Sequence, residues 1–429
     1  MVFAKKGLVI LTIQARIPSL KPPKCDKFTT CEEVSGGKAA TLFVGLYVVA
    51  LGIGGIKGSL AAHGGEQFDE TTPNGRKQRS TFFNYFVFCL ACGALIAVTF
   101  VVFVAASLNS CFGRNSVNVV VRPSNAVVSP SNPHSGRKEI EEETEQAIIE
   151  TEKPTHTLKF LNNAVAYEPI HSSLECTVEQ VEDVKIVLKV LPIFASTIIL
   201  NCCLAQLNTF SVEQAATMNT KLGSLKVPPA SLPIFPVVFI IILAPIYDHI
   251  IIPYARKATK SEMGISHLQR IGIGLVLSII AMAVAAIVEV KRKNVAANSG
   301  LLDDATKQLP ITFFWIAFQF LFLGSADLFT LAGLLEFLFS EAPIKMRSLA
   351  TSLSWASLAI GYYLSSVIVS IVNATTGRSN HRPWLSGANI NHYHLERFYW
   401  LMCVLSGLNF LQYLFWAIKY KYRGNGNNN

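Results

Sequence analysis

Three ionisable side chains stand inside long apolar runs, where a charge is costly and therefore marks a candidate functional group. Lys57 lies in Gly-Ile-Gly-Gly-Ile-Lys-Gly, near the end of its run. The glycines there let a second backbone approach. A lysine held in that place needs a carboxylate partner, unless its stem carries the ammonium out to the interface. Glu336 lies in Leu-Leu-Glu-Phe-Leu-Phe. A carboxylate embedded there can take up and release a proton, which makes it a coupling candidate; the competing reading is that it caps a neighbouring helix or sits at the headgroups. Asp327 precedes Glu336 on the same run, and the helical period puts the two on nearly opposite faces. They cannot share one site, and Asp327 reads as a structural partner for another helix.

Weaker candidates are the amides and the phenol buried in such runs: Asn84, Tyr85, Asn201, Gln206, Asn208, Gln214 and Gln319. In membrane helices these groups serve more often as interhelical glue than as ligands. Asn84, Tyr85, Gln206 and Gln319 are the set expected to line a substrate cavity. Phe83, Phe314 and Trp315 could line an apolar cavity, with packing or lipid contact as the plainer reading. The cysteines are scattered and no histidine cluster accompanies them, so no metal site is expected. Cys89, Cys92, Cys202, Cys203 and Cys403 read as small packing residues. Cys25 and Cys31 share a short polar loop, as a free pair or a disulfide. The glycine-rich run around Gly55 lacks a GKS or GKT ending, so an ATP-driven pump is not expected. No soluble hydrolase motif appears, and the Asn373-Ala-Thr sequon abuts a span too closely for use.

The elements that position these residues follow from composition. Half of the chain is hydrophobic, 51%, and 15% is charged, against about 25% charged in soluble proteins. Runs of spanning length fall roughly at Leu42–Leu60, Phe82–Ala106, Val184–Thr209, Ser231–Tyr254, Ile271–Val290, Ile311–Phe339, Ser348–Val372 and Phe398–Tyr420. Gly7–Ala15 resembles the end of a further span. Long continuous runs exclude a barrel, whose strands alternate, and predict an all-α polytopic membrane protein. Residues 1–107 form a first set of spans, and 184–429 form a six-helix bundle with a short tail. Between them, 108–183 carries prolines and the acidic run Glu139–Glu152, a solvated linker. The net charge of +9 is spread over short clusters beside apolar runs, which excludes nucleic acid and fits a bilayer partner. Flanking cations of the six later spans count nine on each side, Arg270 on one and Arg292 on the other, so the positive-inside rule does not decide orientation.

At Ala50–Glu70 the sequence becomes specific. Ala-Leu-Gly-Ile-Gly-Gly-Ile-Lys-Gly-Ser-Leu-Ala-Ala-His-Gly-Gly-Glu-Gln-Phe-Asp-Glu resembles the signature of the plant nitrate/peptide transporters, proton-coupled oligopeptide transporters of the major facilitator superfamily. Within it, Gly55, Gly58, Gln67, Phe68 and Asp69 carry the motif. Phe82-Phe-Asn-Tyr-Phe-Val-Phe, Phe210-Ser-Val-Glu-Gln-Ala, Gly264-Ile-Ser-His-Leu-Gln-Arg-Ile-Gly and Leu335-Glu-Phe-Leu-Phe-Ser-Glu-Ala-Pro are similar to later family motifs, in family order. The family usually has Gln where this chain has Glu213. The wording around Lys57 is similar to the fourth subfamily, associated with abscisic acid, gibberellin and nitrate. The resemblance implies a major facilitator fold, a rocking-bundle cycle, and a small anionic or peptide-like substrate in the plasma or vacuolar membrane. It implies no cofactor, protons being the coupling ion. It also implies a salt bridge between Lys57 and Glu336 that forms and breaks during the cycle.

The departures from the pattern are equally specific. Helices one and two, the start of three, and helix six have no counterpart, since Val102–Lys159 holds no spanning run. The glutamate-rich coupling motif of helix one is absent too. The first bundle is thus incomplete and the six-helix C-terminal bundle complete. Loss of helix six upsets the parity of crossings. The alternative expectation is therefore a truncated, transport-inactive form, cleared by quality control or associating with full-length relatives.

Overall fold

An apolar run in lipid satisfies its backbone by coiling into a helix, and the computed structural model of the chain is helical accordingly. The structure describes residues 2–20, 36–69, 72–111, 178–222, 225–227, 229–259, 264–303, 307–343, 346–378, 383–387 and 389–420. Cys25, Cys31 and the acidic run Glu139–Glu152 lie outside these residues.

Helix α1 (Val2–Arg16) contains the short run read as the end of a span. It packs on α2 (Gly37–Gly65), where glycines set the spacing: a Cβ added to Gly52 would strike the backbone of Ala4. Then come α3 (Pro73–Cys111) and α4 (Val178–Thr217). The sequence had given both ends of 108–183 to a linker; Leu108–Cys111 instead ends α3 and Val178–Asp183 begins α4. The remaining helices are α5 (Ile234–Thr259), α6 (His267–Asn298), α7 (Phe314–Glu341), α8 (Arg347–Thr376) and α9 (Leu395–Lys419). Among the described residues, these eight from α2 onward are long and apolar enough to cross a membrane. They coincide with the eight runs read from the sequence, and most outreach them, because a helix continues into the headgroup layer where apolar composition stops.

One boundary differs in kind. Ile311, taken as the start of a span, belongs to β2 (Leu309–Thr312), which pairs in parallel with β1 (Met218–Asn219). Helix ends are otherwise locally encoded. Ser266 and Gln269 form a capping box at the start of α6, satisfying donors the first turn leaves bare. At its other end Gly300 takes a positive φ of 65°, and Leu301 N–H bonds back to the Ala296 carbonyl, a Schellman closure. In α5, Pro245 has no N–H to donate and crowds the preceding turn. The helix loosens into a π-helical turn at Tyr247–Ile251 and resumes at Ile252.

Side-chain contacts give the helix directions. His267 meets Glu336 and Gly274 meets Thr330, so α6 and α7 are antiparallel. Pro236 meets Gly324 and Tyr247 meets Phe329, so α5 runs with α7. Asn84 bonds Asp248, and farther along Val87 and Ala91 join Ile240 and Ala244, so α3 opposes α5. Helix α9 opposes both α4, through Ser196–Asn409 and Gln214–Tyr399, and α6, through Leu268–Tyr413 and Lys293–Glu396. Therefore α3 and α4, consecutive in the chain, run in the same direction. The core lies between α4, α6, α7 and α9, around Ile271, Leu275, Ala285, Phe337, Phe398 and Met402. Outward-facing Tyr47, Leu51, Tyr363 and Ile418 stay exposed, as membrane-spanning helices leave them.

Two cations read as loop charges are not in loops. Arg270 and Arg292 are buried inside α6, 2% and 0% exposed. One belonged to each side of the tally, so the tie stands.

Candidate functional site

Glu336 lies in the last turns of α7 and is 1% exposed. Three residues from two other helices reach it. Ser80 of α3 donates its hydroxyl to Oε2 at 3.1 Å. From the first turns of α6, His267 Nδ1 stands 3.4 Å and an Arg270 guanidinium nitrogen 3.7 Å from the same oxygen. Arg270 in turn lies 4.6 Å from the centre of the Tyr247 ring, a cation–π contact that holds the guanidinium away from water. The site is only partly satisfied: Glu336 Oε1 and Arg270 Nε are buried without a hydrogen-bond partner. Buried polar atoms are nearly always paired. A carboxylate and a guanidinium with bonding capacity to spare fit a group that changes partners.

Asn84 and Tyr85 were expected in a substrate cavity. In this structure they face the π-helical turn of α5. Asp248 Oδ1 accepts from Asn84 Nδ2 at 3.0 Å and from Thr81 Oγ1 at 3.4 Å. Tyr85 Oη and His249 Nε2 are 3.0 Å apart. Ser80, Thr81, Asn84 and Tyr85 are spaced i, i+1, i+4 and i+5, one face of α3. Every partner of that face is titratable and belongs to the C-terminal bundle. The extra residue of the π turn turns Asp248 and His249 toward α3, a use such turns often serve. The sequence reading missed Asp248, His249, His267 and Ser80; the only signal was Pro245, which marks where α5 must deform.

The other expected residues are placed apart. Lys57 of α2 is half-buried and its ammonium lies 4.2 Å from the centre of the Trp355 ring of α8. No ion pair joins Lys57 to Glu336 in this structure. Gly58 packs on Ser352, and its carbonyl accepts from Thr351 at 3.0 Å. Gly55 meets nothing within 4 Å, so only part of the glycine run serves close packing. Gln67 and Asp69 are exposed, while Phe68 lies against Phe82, ring centres 5.6 Å apart. Gln206 donates to the carbonyl and hydroxyl of Ser365, joining α4 to α8. Gln319 donates to Ser211 at 2.6 Å, joining α7 to α4. These two amides have the environment of interhelical glue. Asp327 sits midway along α7 and is half-buried.

A second buried ion pair lies toward the opposite end of α6. Arg292 and Glu289 are both fully buried and make a fork of two bonds at 2.7 and 2.8 Å. Gln214, Thr217 and Asn391 take up the remaining capacity. This network is closed, in contrast to the one at Glu336.

The chain matches the model of the PTR2, or POT, family over residues 2–116 and 114–385. It is 63% identical to Protein NRT1/PTR FAMILY 4.6 of Arabidopsis thaliana, over 98% of this chain and 81% of that protein. It is 59% identical to Protein NRT1/PTR FAMILY 4.5 of the same plant, over 98% and 80%. The first match extends over 478 positions, more than the 429 residues of the chain, so the relative carries internal residues that this chain does not. Among solved structures it is similar to an auto-inhibited POT family peptide transporter, with 18% identity and a TM-score of 0.45, over 58% of this chain and 44% of that one. The chain is an integral membrane protein that belongs to the POT family of proton-coupled transporters, in its plant NRT1/PTR group and the fourth subfamily of that group.

Proposed function

We propose that the chain represents a proton-coupled symporter of a small anion, a plant hormone such as abscisic acid or gibberellin, or nitrate, with peptides as a further class, working by alternating access in the plasma membrane. The vacuolar membrane is the other candidate location. One observation carries this reading: a buried carboxylate, Glu336, contacts both bundles and leaves one oxygen unpaired. Protonation removes the charge that holds Arg270 and weakens acceptance from Ser80, which loosens α3 from α7. Lys57 is the counter-cation offered to Glu336 in another state of the cycle, at the cost of leaving the Trp355 ring. Oocyte uptake tests this, at acidic and neutral pH, against abscisic acid, gibberellin, nitrate and a dipeptide, with surface abundance measured alongside. Acid-stimulated uptake is expected, and Glu336→Gln placed in a full-length relative should abolish it without loss of surface protein. Unchanged uptake by that variant removes Glu336 from the mechanism.

A second reading has its own support. The parallel course of α3 and α4, and the internal residues that the relative has and this chain lacks, favour a form that transports nothing alone and acts by associating with full-length relatives. Surface protein without uptake of any of the four compounds is its expected signature.

A further inference from the structure

A cavity of about 500 Å³ opens between the start of α3 and the end of α5, away from Glu336. Among the described residues its charged lining residues are Lys77 and Arg256, both half-buried, and neither makes an ion pair there. Asn74 and Gln78 add neutral donors, and the ring of Phe82 forms an apolar wall. Among the described residues, no lining residue is acidic. The nearby Asp248 does not line the cavity and accepts from Thr81 and Asn84. One further observation indicates an anion. Arg256 Nε is buried and has no hydrogen-bond partner.

We infer that this cavity binds a phosphate-bearing anion, with Lys77 and Arg256 as the cationic pair and the amides of Asn74 and Gln78 as donors. The chemistry is shared by an anionic lipid headgroup and by free phosphate. The cavity is wide enough for either, and basic pockets between membrane helices are the usual receptors for phosphorylated headgroups.

Native mass spectrometry of the full chain in neutral detergent tests this, with phosphatidylinositol 4-phosphate, phosphatidylcholine and inorganic phosphate as probes. Retention of phosphatidylinositol 4-phosphate over phosphatidylcholine is expected. Lys77→Gln with Arg256→Gln should weaken it about thirty-fold, the effect of two cations near the surface. Lys257→Gln, an exposed neighbour outside the cavity, should leave it unchanged. The charge-keeping pair Lys77→Arg with Arg256→Lys should retain the lipid, which separates lost binding from lost folding. Displacement of the lipid by millimolar inorganic phosphate identifies the free anion as an occupant; resistance to displacement identifies the lipid. Equal retention of the two lipids, or equal retention by wild type and the double glutamine variant, overturns the site.

Discussion

Removing the charge of Glu336 and removing its partner are different perturbations, and their difference measures what the site is for. Arg270→Met leaves a buried carboxylate with only His267 and Ser80 beside it. Breaking a buried pair in this way costs about 3–5 kcal/mol. Glu336→Gln strands Arg270 in the same manner. The double variant leaves no stranded charge, and its loss should fall well short of the sum of the single losses. Thermal unfolding of the purified variants in detergent reads this cycle. Additive losses would show that the 3.7 Å approach of Arg270 to Glu336 carries no coupling. The Glu289–Arg292 pair supplies the contrast. It is fully bonded, so its variants should lose more stability than those of Glu336.

At the scale of elements, α3 is held to α5 by donors that converge on Asp248. Hydrogen bonds to a charged group contribute about 1.5–3 kcal/mol each, so Asp248→Ala should lower the unfolding temperature and speed proteolysis of the Glu66–Pro73 connection. A variant indistinguishable from wild type by both measures would mean that apolar packing alone holds α3. Helices α6 and α7 depend on a close approach instead. A Cβ on Gly274 would collide with the Thr330 hydroxyl, so Gly274→Ala should cost about 1–3 kcal/mol through overpacking, read as a lower unfolding temperature; no change would mean that Thr330 rotates aside freely. The helices themselves were legible in the sequence, because a spanning run is a local property of composition. Glu336 was legible too, as a carboxylate among Leu and Phe. Its partners were not. Arg270 sits where an apolar run begins and reads as a flanking charge, His267 is only one letter of a motif, and only the packing of α6 on α7 turns them inward. Asp248 and His249 were hidden in the same way, since their direction is set by a π turn that periodicity does not encode. Asn84 and Tyr85 were recognised as polar groups in a span, but their partners depend on which helix lies opposite.

For the whole molecule, direction is the quantity that decides whether these contacts can exist. The described helices alternate from α1 to α3 and again from α4 to α9, and the break between α3 and α4 leaves the end of one and the start of the next at opposite ends of the bundle. The bonds of Ser80, Thr81, Asn84 and Tyr85 all lie at the end where α2, α5 and α7 finish and α3 and α6 begin. Inverting α4–α9 relative to α1–α3 would carry Glu336, Asp248 and His249 to the other face of the membrane and remove every one of those bonds. Epitope tags can report this arrangement: one in the Gln67–Asp69 connection, one after Lys419, and one at the Gly300 turn. In the structure the first two share a side, and the Gly300 turn lies opposite. Protease protection in sealed vesicles should therefore group the first two tags and separate the third. Grouping the Gly300 tag with the Gln67–Asp69 tag would mean that the C-terminal bundle inserts inverted in this chain. The polar seam would then be out of reach, and coupling of the two bundles through Glu336 would fall with it.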